Sequence, residues 1–236
     1  MKTIGSTIIM LALASSLFAD NGKELKLASP DGTHEIVFYQ KQVSPAVNEL
    51  CYRVDYKSQP VVNESRAGLE LDNRIWEMAL GVRNLKQPAC WMDNLEVDSV
   101  TYQPETNLTW QPLYGERSSV RDHYRAGTLC LSKKDNSGYR LNIEVRAYNE
   151  GVAFRYFFPE HPKAIFHKVV GDLTEYALPA GTKAWTEQWA QAFFERLNID
   201  DIKHPVERAL TFELPNGKWA ALADADVDDW CLTKYL

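Results

Sequence analysis

The sequence predicts a mainly β protein built as an antiparallel sandwich, on three observations. Several segments alternate apolar and polar residues with a period of two, the mark of a half-buried strand. Aromatic residues form 11% of the 236 residues, as 7 Trp, 11 Tyr and 9 Phe, and such side chains favour the pleated surface of a sheet. Helical spacing is weak throughout, with Ile75, Met78 and Ala79 the best local case. Many short strands without intervening helices favour a sandwich over a doubly wound parallel sheet.

In chain order, residues 1–19 read as a secretory signal rather than as part of the fold. Met1-Lys2 is a short basic start, and Ile4 to Phe18 is apolar apart from Gly5, Ser6, Thr7, Ser15 and Ser16. That span is thin for a membrane helix, which needs about 20 apolar residues. Cleavage is expected after Ala19, with Ala14 and Ser16 as alternatives; an uncleaved anchor is the competing reading. Residues 20–236 then form one exported domain with no membrane insertion after cleavage.

Pro30-Asp31-Gly32 is a turn signature, and His34 to Gln40 follows as a strand with Ile36 and Phe38 on one face. Leu50, Tyr52, Val54 and Tyr56 alternate with Cys51, Arg53, Asp55 and Lys57. A turn is expected at Ser58-Gln59-Pro60, after which Ala67, Leu69 and Leu71 alternate again. The clearest strand is Tyr139 to Tyr148. Tyr139, Leu141, Ile143, Val145 and Ala147 face one way, and Arg140, Asn142, Glu144, Arg146 and Tyr148 face the other. Asn149-Glu150-Gly151 turns that strand into Val152 to Phe158, which reads as a hairpin.

Composition excludes several classes. Lys+Arg is 26 against 32 Asp+Glu, a formal charge of −6, with no basic run, so a nucleic-acid partner is not expected. The hydrophobic share of 45% and charged share of 25% are ordinary globular values. Of the four cysteines, Cys51, Cys90, Cys130 and Cys231, no two form a Cys-x-x-Cys pair. A zinc ribbon or thioredoxin-type site is therefore excluded. Export permits disulfides, in any of three pairings, and buried free thiols are an equal alternative.

Catalytic motifs are mostly absent. There is no Gly-x-Ser-x-Gly elbow, phosphate-binding glycine loop or His-Glu-x-x-His helix. Asp224, Asp226, Asp228 and Asp229 resemble the start of a calcium loop. Asp229 stands where the turn glycine belongs and Tyr235 where the bidentate Glu belongs, so a solvated acidic turn is the better explanation. Two polar clusters remain. Tyr114-Gly115-Glu116-Arg117 with Arg121-Asp122-His123-Tyr124 reads first as a surface hairpin with ion pairs. Trp185 to Arg196 sets Trp189, Phe193 and Phe194 near Glu187 and Glu195. Aromatic faces beside carboxylates suit sugars, whose rings stack their C–H faces while acids accept hydroxyl protons, although core packing is the default use of such aromatics.

Five stretches together resemble the N-terminal domain of glycoside hydrolase family 97, bacterial exo-acting α-glucosidases and α-galactosidases. They are Leu27-Ala28-Ser29-Pro30-Asp31-Gly32, Tyr52-Arg53-Val54-Asp55-Tyr56-Lys57, Ser65-Arg66-Ala67-Gly68-Leu69, Tyr114-Gly115-Glu116 with Asp122-His123-Tyr124, and Arg146-Ala147-Tyr148-Asn149-Glu150-Gly151-Val152-Ala153-Phe154-Arg155-Tyr156. The similarity runs across nearly all of residues 25 to 190. It implies an antiparallel β-super-sandwich of the galactose-mutarotase-like type, incomplete at its C-terminus, and a bacterial periplasmic location.

The resemblance further implies a (β/α)8 catalytic barrel that this chain lacks, so the chain is expected to be an inactive part of a glycosidase and to have that barrel and carbohydrate as partners. No catalytic residue carries over. One metal ligand does: the family's N-terminal domain supplies a Glu after an aromatic residue to a calcium in the active site, and Phe194-Glu195 matches that pattern. Calcium takes about 6 to 8 oxygens, so Glu195 alone is not expected to hold it tightly. An ordinary surface carboxylate is the other reading of Glu195. Trp189 to Ala192 and Arg196 depart from the family pattern, as does Arg125-Ala126, where Asn-Glu is expected. Two further functions stay open, a stand-alone carbohydrate-binding module and an aldose epimerase. An epimerase needs a base and a histidine acid, and the five histidines (His34, His123, His161, His167 and His204) stand in no setting that marks one.

Overall fold

The computed structural model describes residues 24–45, 47–72, 92–93, 95–133, 138–162, 166–228, 230 and 232–236. The expected signal segment, Ile75, Met78 and Ala79, Cys90 and Cys231 lie outside these residues. Among the described residues fifteen strands run in chain order. They are β1 (Glu24–Ala28), β2 (His34–Ser44), β3 (Val47–Tyr56), β4 (Gln59–Arg66), β5 (Leu69–Leu71), β6 (Leu95–Tyr102), β7 (Thr106–Trp110) and β8 (Val120–Lys133). Then come β9 (Arg140–Tyr148), β10 (Gly151–Phe157), β11 (Val169–Asp172), β12 (Lys183–Thr186), β13 (Glu195–Asn198), β14 (Leu210–Glu213) and β15 (Trp219–Leu222). A single 3-10 turn, Ile199–Asp201, is the helical element among the described residues.

The protein is mainly β and antiparallel, as the alternation requires. One sheet has the order β1-β2-β3-β4; the other has β10-β9-β8-β6, with β7 also pairing with β8. Their facing sides build the main core. From the first sheet come Leu25, Leu27, Ile36, Phe38, Leu50, Tyr52, Val54 and Val62; from the second, Leu95, Val100, Leu129, Leu131, Leu141, Ile143, Val145 and Ala147, all buried. On β9 every second residue, from Leu141 to Ala147, is buried. Phe38, Tyr52 and Phe154 meet at centroid separations of 5.2 Å, stacked for Phe38–Tyr52 and edge-on for Phe38–Phe154. At Gly127 a Cβ would lie 3.2 Å from Leu25 Cδ1 and 3.3 Å from Tyr102 Cδ1, so a larger residue there would require these side chains to shift by a few tenths of an ångström.

The opposite side of the first sheet is covered by charge. Val37 and Cys51 are buried there, and the register sets Lys26 and Arg53 beside Val37 and Tyr39 beside Cys51. Lys26–Glu35–Arg53–Asp55 form a chain of ion pairs with separations of 3.2 to 3.6 Å. Their alkyl stems shield the apolar residues while their heads stay in water. Cys51 and Cys130 are free thiols, and burial pushes the Cys51 thiol up in pKa.

Two turns differ in their clarity. Gly32 has φ of +73° within the expected Pro30-Asp31-Gly32 turn. Asp31 Oδ1 there accepts from Ser29 Oγ, Thr33 N and Thr33 Oγ1 at 2.7 to 2.9 Å, and these bonds, Ser29 first, hold its carboxyl down at about 2. The β3–β4 turn sits one residue earlier than expected. Lys57 and Ser58 form it with φ of 50° and 59°, and Gln59 and Pro60 already belong to β4. Positive φ at both central residues matches the twist of a two-residue hairpin.

A third sheet, ordered β13-β12-β14-β15, follows the sandwich. Its inner face carries Ala184, Leu210 and Phe212, which with Val206 and Leu214 form a second buried cluster. Val61 and Leu178 pack against both clusters and join them.

Two outcomes follow from this packing. Ile143→Ala removes a fully buried side chain from the sandwich centre, so chemical denaturation should show a loss of about 2 to 5 kcal/mol; a loss below about 0.5 kcal/mol would refute the assigned face. His167 stacks on Phe158 at 4.2 Å, and burial, with His161 nearby, lowers its pKa from 6.5 to about 4. The unfolded chain therefore binds a proton between these values that the folded chain refuses. The contribution is fully present above pH 6.5 and is lost as pH falls toward 4. His167→Gln should flatten the dependence of stability on pH in that window, and an unchanged slope would contradict the shift.

Candidate functional site

The two polar clusters singled out in the sequence end in different surroundings. The first lies on the β7–β8 hairpin. Glu105 lies 2.7 Å from His123 Nε2 and accepts from Arg125 Nε at 3.0 Å, and these partners, His123 first, lower its pKa. Arg121 Nε donates to Asn107 Oδ1 at 2.9 Å. His123 Nδ1 is buried without a partner among the described residues. Tyr114 is 90% exposed and Leu113 fully exposed in the loop that joins the two strands. This is the surface hairpin with ion pairs that the sequence favours, and it brings no second carboxylate to His123.

The second cluster is not core material. Trp189, Phe193 and Phe194 are exposed, Phe193 by 93%, in the loop between β12 and β13. The loop is anchored rather than buried. Ala192 N donates to the Trp189 carbonyl at 2.8 Å and Glu207 N to the Glu187 carbonyl at 2.8 Å. Lys234 Nζ donates to the Gln188 carbonyl at 3.0 Å and pairs with Glu207 at 2.7 Å. Sequence favours the core for such aromatics because burial is their commonest use. Here the inward positions of β12 are Ala184 and Thr186, and Phe212 fills the space beside them.

Glu195 opens β13 opposite Thr186. Thr186 Oγ1 donates to its backbone carbonyl at 3.2 Å. The side chain is exposed, and its carboxylate has no ion pair among the described residues. No group of three or more His, Cys, Asp or Glu that could hold a metal exists among the described residues. One carboxylate does not make a calcium site, so the described residues do not by themselves fit the ion.

The outer face of the third sheet holds an arrangement that sequence does not reveal. Trp185 on β12 and Trp219 on β15 lean across β14 until their ring centroids are 4.5 Å apart, tilted by 31°. The Arg196 guanidinium sits 4.9 Å from the Trp185 ring and pairs with Glu213. Pairing puts Lys183, Asn198, Glu213 and Trp219 in one row of this face, and Trp185, Arg196, Thr211 and Ala221 in the next. The only signal for it was two tryptophans beside alanines, Ala184-Trp185 and Trp219-Ala220.

In the acidic C-terminal run, Asp229 lies outside the described residues, and Asp226 and Asp228 are exposed. Asp224 lies 3.6 Å from Arg208 and accepts from Thr233 N at 3.3 Å. Val206 and Tyr235 exchange backbone bonds at 2.8 and 3.0 Å. Burial, with Asp224 nearby, raises the Tyr235 hydroxyl to about 12.

Comparison with known proteins agrees with this architecture. A retaining α-galactosidase of Bacteroides thetaiotaomicron is 26% identical over 178 residues, which are 75% of this chain and 22% of that protein. A glycoside hydrolase family 97 enzyme from Pseudoalteromonas sp. strain K8, solved in complex with panose, superposes with a TM-score of 0.68 at 24% identity. The match covers 82% of this chain and 27% of that one. A β-arabinopyranosidase structure gives 0.69 at 16% identity, over 86% and 32% of the two chains. The chain thus spans less than a third of the length of each of these relatives. The model of the family described as Glycosyl-hydrolase 97 N-terminal matches residues 27–235, and the chain belongs to that family.

Proposed function

We propose that this chain is the N-terminal domain of an exported bacterial glycoside hydrolase acting on α-glucosides or α-galactosides, and that it supports a (β/α)8 catalytic barrel rather than hydrolysing sugars itself. The family match over residues 27–235 carries this reading. The names of the relatives support the substrate class: one is an α-galactosidase, and another was solved with panose. Residues 1–19 supply the export signal, and the periplasm is the destination.

The loop between β12 and β13 is the docking surface for the barrel. Exposed aromatics on one loop, here Trp189, Phe193 and Phe194, are costly in water and characteristic of a covered surface. Glu195 follows them directly, so a barrel seated on the loop receives its carboxylate. There it would supply one oxygen ligand to a calcium ion, the barrel supplying the others. Glycoside hydrolysis needs two carboxyl groups about 5 to 9 Å apart across the scissile bond, and in this reading both belong to the barrel.

The purified chain should therefore show no turnover of aryl α-glucosides or α-galactosides, and calorimetry should detect no tight calcium binding. In a longer protein in which a (β/α)8 barrel follows Leu236, Glu195→Gln should weaken calcium affinity and activity together. Turnover by the chain alone that disappears with Glu195→Gln would sink this reading. An unaffected longer enzyme would show that another carboxylate serves the metal.

A further inference from the structure

We propose that the outer face of the third sheet is a carbohydrate-binding platform, separate from the loop that meets the barrel, with Trp219 as its stacking residue. This role rests on the glycosidase reading above for its sugar class. The rings and charges form an ordered stack across two rows: Arg196 lies against Trp185 at 4.9 Å, and Trp185 lies against Trp219 at 4.5 Å. Trp219 ends that stack and is 58% exposed. Trp185 thus has neighbours in Arg196 and Trp219, whereas Trp219 is the ring left open to extend the stack.

The surroundings are polar in the way a pyranose requires. Glu213 is directly opposite Trp219 in the β14–β15 ladder, and Lys183 and Asn198 continue the same row. Lys183 and Asn198 are exposed. A sugar ring offers an apolar C–H face to an indole and hydroxyls at its rim to carboxylates, amides and ammonium groups. A protein partner would instead call for a broad apolar core with few charges, and this face alternates rings with charged side chains. The stack is also preorganised. The Arg196–Glu213 pair and the cation–aromatic contact fix Trp185, and Trp185 fixes Trp219, so little rotamer freedom remains to be lost on binding. The occupant is an oligosaccharide of α-linked pyranoses.

The test titrates the purified chain with panose and with maltohexaose, reading tryptophan fluorescence and heat. Saturable binding is expected. Trp219→Ala should weaken it at least about tenfold, a loss of about 1.4 kcal/mol, whereas Trp219→Phe, which keeps a ring, should retain most of it. Phe193→Ala should leave it unchanged, since Phe193 belongs to the docking loop. Absence of saturable binding for both sugars would overturn the platform, as would an affinity that survives Trp219→Ala. So would a loss in Phe193→Ala equal to that in Trp219→Ala. Failure here leaves the support-domain reading intact, whereas turnover by the chain alone would sink that reading and leave the platform standing.

Discussion

The Tyr52 hydroxyl sets the constraint on which the rest of the structure depends. Tyr52 is buried in the centre of the sandwich, stacked on Phe38 and touching Phe154, and burial raises its pKa. A buried hydroxyl is costly without a partner. It donates to the Glu175 carbonyl at 2.5 Å, and that bond brings the segment after β11 against the sandwich. Beside β4, Leu173 N donates to the Gly68 carbonyl at 2.9 Å, Glu175 N to Arg66 at 2.8 Å and Asn63 N to Ala177 at 2.8 Å. Ser65 Oγ accepts from Ala177 N at 2.8 Å. The strap satisfies an edge strand that would otherwise invite pairing with another chain.

The same strap determines where the third sheet can lie. Leu178 follows directly and packs on both hydrophobic clusters, and Tyr176 meets Tyr235 edge-on at 5.7 Å. Tyr56 in turn lies under Lys218 of the β14–β15 turn at 4.7 Å. With its inner face fixed against the sandwich, the sheet has no choice but to present Trp185, Arg196 and Trp219 outward. Its β12–β13 loop projects Trp189, Phe193 and Phe194 at one end. A packed core thus creates two exposed aromatic surfaces of different chemistry. One is apolar and suited to a protein neighbour; the other is interleaved with charge and suited to a sugar.

Much of the sandwich was legible in the sequence. On β9 four inward positions, Leu141, Ile143, Val145 and Ala147, alternate without a break, and alternation over that length has one explanation. Pro30-Asp31-Gly32 was equally plain, because Gly32 takes the φ that its turn needs. The β3–β4 turn was displaced by one residue because Lys57 and Ser58 adopt positive φ without being Gly or Asn, and Gln59-Pro60 looked more turn-like. The third sheet was least legible. Its strands have four residues each, too few for alternation to declare a face. Ala184 and Thr186 occupy the inward positions of β12, so size misleads about which side of that strand is buried. Glu195 stood out as a carboxylate beside aromatics, and only the resemblance gave it a metal role; an exposed carboxylate at a strand start has no metal signature of its own.

Docking through the β12–β13 loop is most directly tested by amide hydrogen exchange, which reads local protection segment by segment. The chain alone is compared with a longer protein in which a (β/α)8 barrel follows Leu236. Exchange should slow across residues 187–195 in the longer protein, while β9, already protected in the core, keeps its rate. Unchanged exchange across 187–195, with slowing confined to other surfaces, would contradict the loop as the barrel's seat.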